Sequence, residues 1–304
     1  VIRQRGAQDA AARRATLRRN VQQLLHGGAT AVGDIDATGD SVATLAETPL
    51  RGRSYRELTG YHLDDAAAEQ LVASRPARRG GAIAPGLSPH APYSASASLF
   101  RAAHRRQRHL AIHCAEVPEE QQFLRHGTGP FADLLARLGR LPPQHRAPGV
   151  GAVAWLERLA VLGPNTQLVH CQELERGDVA RIAAAGCSIV VCPGTITFFR
   201  RQPPDVARWL AHGIPVALGT DSLASNRSLS MRDELAAAAR CWPQLAPTQL
   251  LQLATVGGGR ALSLPRVGTL RRGARADFVS VPCGADADGT LAGYVHGESP
   301  LLDV

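Results

Sequence analysis

The sequence contains no lysine, and all 34 of its basic residues are arginine. This absence excludes a Schiff-base lysine, a phosphate-loop lysine and a carbamylated lysine that bridges two metal ions. The formal net charge is +8, but the arginines stand in short, scattered groups such as Arg13-Arg14 and Arg271-Arg272. A nucleic-acid interface would gather them on one face, so we predict no nucleic-acid partner.

Aromatic residues make up only 4% of the chain, so alanine, leucine and valine must build most of the core. No apolar run approaches the roughly 18 residues that cross a membrane, and the first residues show no secretory signal pattern. The six cysteines form no C-x-x-C pair, and most lie in apolar runs, where cysteine acts as a small buried hydrophobe. We therefore expect a cytoplasmic protein that has no membrane partner.

Short apolar runs that are typical of buried strands alternate with segments of helical spacing along most of the chain. The predicted strands cover residues 29–35, 54–58, 82–90, 110–113, 166–170, 187–193 and 214–221. Such alternation predicts an α/β fold built from right-handed βαβ units, and we favour a TIM-type (β/α)₈ barrel that lacks its first strand. An open doubly wound sheet is the alternative, although no Gly-rich phosphate loop follows the first strand.

The tail of the chain has a different pattern. Residues 267–281 contain short strand-like runs that are broken by glycines. We therefore expect residues 1–265 to form the barrel and residues 266–304 to form part of a small β-sandwich.

Polar residues stand at or near the ends of four predicted strands, namely His90, His113, His170 and Asp221. Glu116 follows three residues after His113 and, taken alone, could simply cap a helix. In a parallel barrel the carboxyl ends of the strands converge on one face, so these side chains should meet. Imidazoles with one carboxylate are ligands that suit Zn²⁺ or Fe²⁺.

The segments that contain these residues resemble motifs of the amidohydrolase superfamily, particularly its mononuclear deaminase and chlorohydrolase branch. They read SPHAPYS at 88–94, HCAE at 113–116, LVHC at 168–171 and GTDSLASN at 219–226. The sequence CPGT at 192–195, followed by Phe198 and Phe199, resembles the subgroup of adenosylhomocysteine and aminofutalosine deaminases. The resemblance covers nearly the whole chain.

The resemblance implies one divalent metal ion, with Zn²⁺ favoured and Fe²⁺ as the alternative. In that family scheme His113 and Asp221 ligate the metal, and Asp221 also accepts a proton from the attacking water. His170 orients the attacking hydroxide, or ligates the metal as in some relatives. Glu116 contacts the substrate, protonates its ring nitrogen and then passes a proton to the departing ammonia.

The resemblance also implies contacts with a small heterocyclic substrate. His90 would touch that substrate, and Phe198 and Phe199 would stack on an aromatic part of it, although covering the barrel rim is an equally good interpretation. The implied reaction is hydrolytic deamination of an amino-substituted heterocycle, such as an adenine-type nucleoside. Hydrolysis of a ring chloride or an amide on the same scaffold, and a homodimer, stay open.

One family feature is absent. Members of the superfamily supply two further metal ligands from an H-x-H on the first strand, and these 304 residues contain no H-x-H. The chain also begins with Val1. We therefore expect it to be a fragment that lacks the first strand, with a natural pseudoenzyme, a non-catalytic barrel that binds a small molecule, as the alternative.

Overall fold

The structure, a computed structural model, describes residues 9–282 and 286–298. Within these residues it contains seven strands, which match the seven that the sequence predicts. They are β1 (Ala31–Asp36), β2 (Arg51–Leu58), β3 (Ile83–Pro89), β4 (Leu110–Cys114), β5 (Thr166–His170), β6 (Ser188–Val191) and β7 (Val216–Leu218).

Fourteen α-helices accompany the strands in the described part of the chain. Before β4 they are α1 (Ala10–His26), α2 (Ser41–Ala46), α3 (Asp65–Ser74) and α4 (Ala97–Arg106). Between β4 and β7 they are α5 (Pro118–His126), α6 (Pro130–Arg137), α7 (Ala152–Arg158), α8 (Asp178–Ala185), α9 (Pro193–Phe198) and α10 (Val206–Ala211). After β7 they are α11 (Met231–Cys241), α12 (Pro247–Gln252), α13 (Gly258–Ala261) and α14 (Ala287–Val295).

Side-chain caps explain where several helices begin. Asp64 accepts a hydrogen bond from the backbone N–H of Ala67, and Ser96 accepts one from Leu99. Such caps satisfy an N–H group that the first helical turn leaves without a partner, which stabilises each helix by about 1 kcal/mol. The same arrangement occurs at Asp9, Asp205, Ser230 and Asp286.

The seven strands form one parallel sheet in chain order, from β1 to β7. Helices connect successive strands, as right-handed βαβ units require. Apolar side chains on the outer face of the sheet, such as Ile112, Leu168 and Ile189, are fully buried against helical residues such as Phe100 and Phe123. Burial of this layer supplies the main hydrophobic stabilisation of the fold.

The sheet curls so that distant strands meet across its inner face. The amide Nε2 of Gln167 on β5 donates to the hydroxyl of Tyr55 on β2 at 2.7 Å, and to the carbonyl oxygen of Ala261 after β7. Both edge strands, β1 and β7, border one apolar cleft of about 710 Å³. The predicted (β/α)₈ barrel without one strand is therefore confirmed, and the open doubly wound alternative is not adopted.

The helical segment from Pro247 to Ala261 changes its winding partway. It runs as α12 to Gln252, continues as a π-helical turn at Leu253–Gly257 and ends as α13. Gly257 lies against β7, where a Cβ atom would overlap the carbonyl oxygen of Val216. The close approach of this turn to the edge strand requires glycine there.

The tail differs from its prediction. Residues 266–282 belong to no named strand, and α14 follows where part of a β-sandwich was expected. Tyr294 and Val295 of α14 are buried in the main core, and Arg51 of β2 forms an ion pair with Asp277 at 3.0 Å. The described tail thus packs onto the barrel; the rest of the predicted segment, residues 283–285 and 299–304, lies outside the described residues.

Candidate active site

Three histidines lie together at the carboxyl ends of neighbouring strands. His113 is on β4, His170 is the last residue of β5, and His90 directly follows β3. The strand register places Cys114 opposite His170, and the backbone N–H of His113 donates to the carbonyl oxygen of His90 at 2.8 Å. The parallel ladder therefore brings these residues together, as their sequence positions predict.

The closest donor atoms belong to His113 and His170. His113 Nδ1 lies 3.1 Å from His170 Nε2, and the two rings are stacked with an angle of 20° between their planes. Glu116 Oε2 lies 3.7 Å from the same His170 Nε2. One ligand atom from each of these three residues falls within 4.8 Å of the others, which makes them a group able to hold a metal ion.

The protonation of His113 suits that role. Desolvation at the end of the barrel and the nearby His170 together lower its pKa to about 4, and Asp221 opposes the shift. His113 is therefore neutral at pH 7, and neutral imidazole is the form that ligates metals. The donor set of two imidazoles and a carboxylate fits Zn²⁺ or Fe²⁺.

His90 lies beside the pair. Its Nδ1 is 2.7 Å from Ser94 Oγ, and its ring centroid is 4.9 Å from that of His113. The Ser94 hydroxyl fixes the orientation of the His90 ring. His90 is thus held next to the group of donors without belonging to the set of three.

Glu116 is held from two directions. Arg201 Nη1 donates to Glu116 Oε1 at 2.8 Å, and the backbone N–H of Glu116 donates to Glu120 Oε2 at 3.0 Å. Burial raises the pKa of the fully buried Glu120 to about 8. We did not predict a role for Glu120, which lies in the first turn of α5, four residues after Glu116.

Asp221 lies three residues beyond β7 and receives three hydrogen bonds. Ser225 Oγ and Thr195 Oγ1 donate to its Oδ2 at 2.7 and 3.1 Å, and the backbone N–H of Ser222 donates to Oδ1 at 2.7 Å. Burial alone would raise its pKa, but the nearby His170 and the hydrogen bonds from Ser225 and Ser222 together lower it. Thr195 and Ser225 were not expected, because hydroxyl residues in loops carry no distinctive sequence signal.

Asp221 does not belong to the three-residue group that the described part of the chain brings within metal-ligand distance. The expectation that it is a metal ligand stays a prediction. Asp221 is nevertheless close enough to both histidines for electrostatic interaction. Its negative charge raises the pKa of His113, and His113 and His170 each lower the pKa of Asp221.

Strained backbone is concentrated at these residues. Ala115, His170, Cys171, Arg200 and Asp221 all have φ values between 49° and 77°. Residues with side chains rarely adopt this left-handed conformation, which costs roughly 1–3 kcal/mol and is found preferentially at functional sites. These left-handed conformations lower the stability of the fold, and they set the directions of side chains at the site.

Phe198 and Phe199 lie at the end of α9 and are exposed by 45% and 48%. Their rings contact each other edge to face, with centroids 5.1 Å apart, and the guanidinium of Arg201 lies over the Phe199 ring at 4.6 Å. This position agrees with both predicted interpretations, in which the two rings either cover the barrel rim or stack on an aromatic part of a substrate. Cys114 and Cys171 are free thiols that are fully buried beside the histidines.

A parallel barrel with histidines and acidic residues at the carboxyl ends of its strands has its candidate site where barrel enzymes carry their active sites. Comparison with known sequences gives the family. The amidohydrolase family matches residues 4–295, and the chain belongs to that family.

Individual relatives are named deaminases. The chain is 35% identical over 267 residues to the aminodeoxyfutalosine deaminase of Deinococcus radiodurans, covering 81% of the chain and 62% of the relative. It is 31% identical over 207 residues to a 5-methylthioadenosine/S-adenosylhomocysteine deaminase of Syntrophobacter fumaroxidans, covering 64% of the chain and 43% of the relative. The chain thus spans about two fifths to three fifths of the length of these relatives.

Solved structures share the fold. Helicobacter pylori aminofutalosine deaminase superposes with a TM-score of 0.78 at 22% identity, covering 94% of this chain and 74% of that one. An adenosine deaminase of Xanthomonas campestris with bound zinc gives 0.74 at 22% identity, covering 96% and 67%. Among the described residues, no helix is both long and apolar enough to span a bilayer.

Proposed function

We propose that this chain carries most of the active site of a hydrolytic deaminase that acts on an amino-substituted heterocycle of the adenine type. The observation that carries the proposal is the convergence of His113, His170 and Glu116 at the ends of β4 and β5. The family membership and the named deaminases among the relatives support the same reaction class.

The residues present fit a divalent metal ion. His113 would hold it, together with Asp221 from the end of β7, as the resemblance implies, and His170 would either join them or orient the attacking water. Such an ion, when bound, makes hydroxide available near neutral pH. The wide cleft between β1 and β7 lies on the side from which the family would supply its remaining ligands.

Asp221 and His170 would manage the attacking water. Asp221 is a carboxylate whose pKa lies below its ordinary value, so it is ionised at pH 7 and can receive a proton from that water. His170 is 4% exposed and lies between Glu116 and His113, where it can donate a hydrogen bond that orients the water. Both groups are fixed by hydrogen bonds before the substrate arrives, which is how positioned groups lower a barrier.

Glu116 would carry the proton on the substrate side. As the water oxygen bonds to the amine-bearing ring carbon, the adjacent ring nitrogen takes a proton from the Glu116 carboxyl. The new hydroxyl group on that carbon would then give up its proton, which reaches the amine through the Glu116 carboxylate, and the carbon–nitrogen bond would break to release ammonia and leave a ring carbonyl group. The proton that Asp221 took from the water would return to Glu116 and restore its carboxyl group. Positioned acid–base groups of this kind contribute about 10²- to 10⁴-fold to rates.

Replacing Glu116 by Gln tests this role. We expect Glu116→Gln to lower ammonia release from adenine nucleosides at least about 100-fold, because the amide cannot donate an acidic proton. Elemental analysis should show unchanged transition-metal content. Glu119→Gln, in the first turn of α5 directly after Glu116, is the matched control and should retain activity.

Three results would contradict the proposal. Ammonia release at the wild-type rate by Glu116→Gln would remove Glu116 from the reaction. A purified protein that binds no transition metal even after supplementation would rule out a metal-dependent hydrolase. Release of chloride from a chlorinated ring, with no ammonia from any aminopurine, would favour the chlorohydrolase alternative.

A further inference from the structure

Glu120 places a fully buried carboxyl group against the backbone of Glu116. It lies in the first turn of α5 and is 0% exposed. Its Oε2 accepts a hydrogen bond from the backbone N–H of Glu116 at 3.0 Å, and the backbone N–H of Ala115 interacts with the same carboxyl group. Among the described residues, none forms a hydrogen bond with its Oε1. The carboxyl group of Glu120 therefore serves the loop after β4.

Helix stability alone does not explain this arrangement. In a capping box, a glutamate at the third helical position bonds to the backbone N–H of the N-cap residue, which here is Val117. Glu120 instead bonds to the residue before the N-cap, outside the helix. Burying a carboxyl group with one unpaired oxygen costs free energy, and such groups are rare in native proteins. A role other than helix capping is therefore indicated for Glu120.

The turn that Glu120 contacts has a strained backbone. Ala115 adopts the left-handed conformation with a φ of 49°, which residues with side chains rarely adopt. The carbonyl oxygen of Ala115 accepts a hydrogen bond from the backbone N–H of Glu173 at 2.8 Å, so the loop after β5 holds one side of the turn. Glu120 holds the other side through the N–H groups. Without Glu120, Ala115 could relax toward an ordinary conformation.

This turn determines where the Glu116 side chain points. The N–H of Glu116 bonds to Glu120, while its side chain reaches the site, with Oε2 3.7 Å from His170 Nε2 and Oε1 2.8 Å from Arg201 Nη1. The N–H and the side chain leave adjacent backbone atoms, so a hydrogen bond that fixes the N–H also restricts the direction of the side chain. A displacement of about 1 Å at a reacting group can lower a rate about 100-fold.

We propose that Glu120 is a positioning residue for the deamination. Its buried carboxyl group holds the left-handed turn at Ala115 and Glu116, and this turn directs the Glu116 carboxyl group toward the substrate. The inference rests on the proposed function and deepens it, because Glu120 acts through Glu116 and touches no reacting atom.

Two substitutions separate the hydrogen bonds of Glu120 from its packing. Glu120→Gln keeps a carbonyl oxygen that can accept the N–H of Glu116, whereas Glu120→Met fills a similar volume without such an acceptor. For ammonia release from adenine nucleosides, we expect Glu120→Met to lower kcat about 10- to 100-fold and to leave KM within about threefold. Glu120→Gln should keep kcat within about threefold of the wild type. Glu119→Met, in the same helical turn, is the matched control and should behave like the wild type.

A double substitution distinguishes positioning from a general structural defect. If Glu120 acts through Glu116, Glu120→Met should change the residual rate of Glu116→Gln less than about twofold, because the group that it positions is already lost. A structural defect would lower the rate by the same factor whether residue 116 is Glu or Gln. That result would overturn the inference, and so would equal kcat values for Glu120→Met and Glu120→Gln.

Amide hydrogen exchange separates this inference from the proposed function, because it requires no turnover. By NMR, the Glu116 amide should be protected in the wild type and in Glu120→Gln, and should exchange at least about tenfold faster in Glu120→Met. The Cys171 amide, which donates to the carbonyl oxygen of Cys114 at 3.0 Å, is the internal reference and should not change.

The two failures are then distinct. If no adenine nucleoside releases ammonia, the proposed function fails, and faster exchange of the Glu116 amide in Glu120→Met alone would still support the inference that Glu120 holds the turn. Equal exchange of that amide in the wild type and both Glu120 variants would refute the inference, whatever the activity.

Discussion

The two sides of the site are built in different ways. His113 and His170 lie on β4 and β5, which have hydrogen-bonded neighbours on both sides, so the backbone ladder fixes their positions. Asp221 follows β7, which pairs only with β6 among the described strands. There, hydroxyl groups from Thr195 and Ser225 hold the carboxylate instead. Interior strands thus position the two histidines through the backbone, whereas side chains hold Asp221 after the edge strand.

The buried carboxyl group of Glu234 stabilises the part of the site that follows the edge strand β7, which we call the edge side. Glu234 on α11 accepts hydrogen bonds from the backbone N–H of Gly194 at 2.9 Å and from the amide of Asn226. The same Asn226 amide donates to the carbonyl oxygen of Thr220 at 2.7 Å, directly before Asp221. Glu234 therefore ties the loops after β6 and β7 to one helix, where no further described strand braces them.

Removing a histidine at the end of β4 or β5, which we call the ladder side of the site, should have the largest effect on metal binding. We expect His113→Asn and His170→Asn each to weaken zinc binding about 100-fold or more, because even residues behind metal ligands are worth 10- to 100-fold. The measurement is competition with a zinc chelator at pH 7.

The exposed His212 provides the control, and His212→Asn should bind zinc like the wild type. Since the ladder positions the backbone, circular dichroism of all three variants should stay unchanged. Wild-type zinc affinity in both His113→Asn and His170→Asn would show that the ladder side does not hold the metal.

Glu234 makes the stability of the edge side depend on pH. Burial raises its pKa to about 7, so the folded state holds its proton over a range where the unfolded state has released it. The contribution of Glu234 is therefore fully present at low pH and declines as pH rises from about 4.5 to 7. Over that range we expect Glu234→Gln to gain about 2–3 kcal/mol in unfolding free energy relative to the wild type.

Urea unfolding at pH 4.5 and 8 measures this change, and the comparison of the two proteins cancels other titrating groups. The adjacent exposed Asp233 offers the control, because Asp233→Asn should follow the wild-type pH dependence more closely than Glu234→Gln does. Parallel pH profiles for the wild type and Glu234→Gln would mean that Glu234 is not a buried, protonated carboxyl group.

The ladder side is also the side that the sequence predicts best. Apolar runs that end in His113 and His170 identify two buried parallel strands, and parallel strands place their carboxyl ends together. The contact between Arg201 and Glu116 joins residues 85 positions apart and depends on how the loop after α9 turns. The periodicity of the sequence carries no information about such a turn. Neither the ion pair of Arg201 with Glu116 nor the hydrogen bond from Thr195 to Asp221 could therefore be predicted.

The tail shows how tertiary packing overrides local preference. Residues 287–295 contain two glycines, which disfavour a helix by about 1 kcal/mol each. The structure nevertheless has α14 there, because Asp286 caps its first turn and Tyr294 and Val295 are buried in the core. The gain from burying these two side chains is not visible in the local sequence pattern.

The smallest expected effect concerns how Asp221 is held, by the side chain of a neighbouring residue or by a backbone N–H group. Ser225 reaches Asp221 through its hydroxyl, whereas Ser222 reaches it only through its backbone N–H. Ser225→Ala should therefore lower kcat about tenfold, the lower end of the range for residues that orient metal-site ligands, and Ser222→Ala should change it less than about twofold. Steady-state ammonia release measures both, with thermal unfolding to show that each variant is folded. Equal losses in the two variants would mean that the loop as a whole, and not the Ser225 hydroxyl, positions the carboxylate on the edge side.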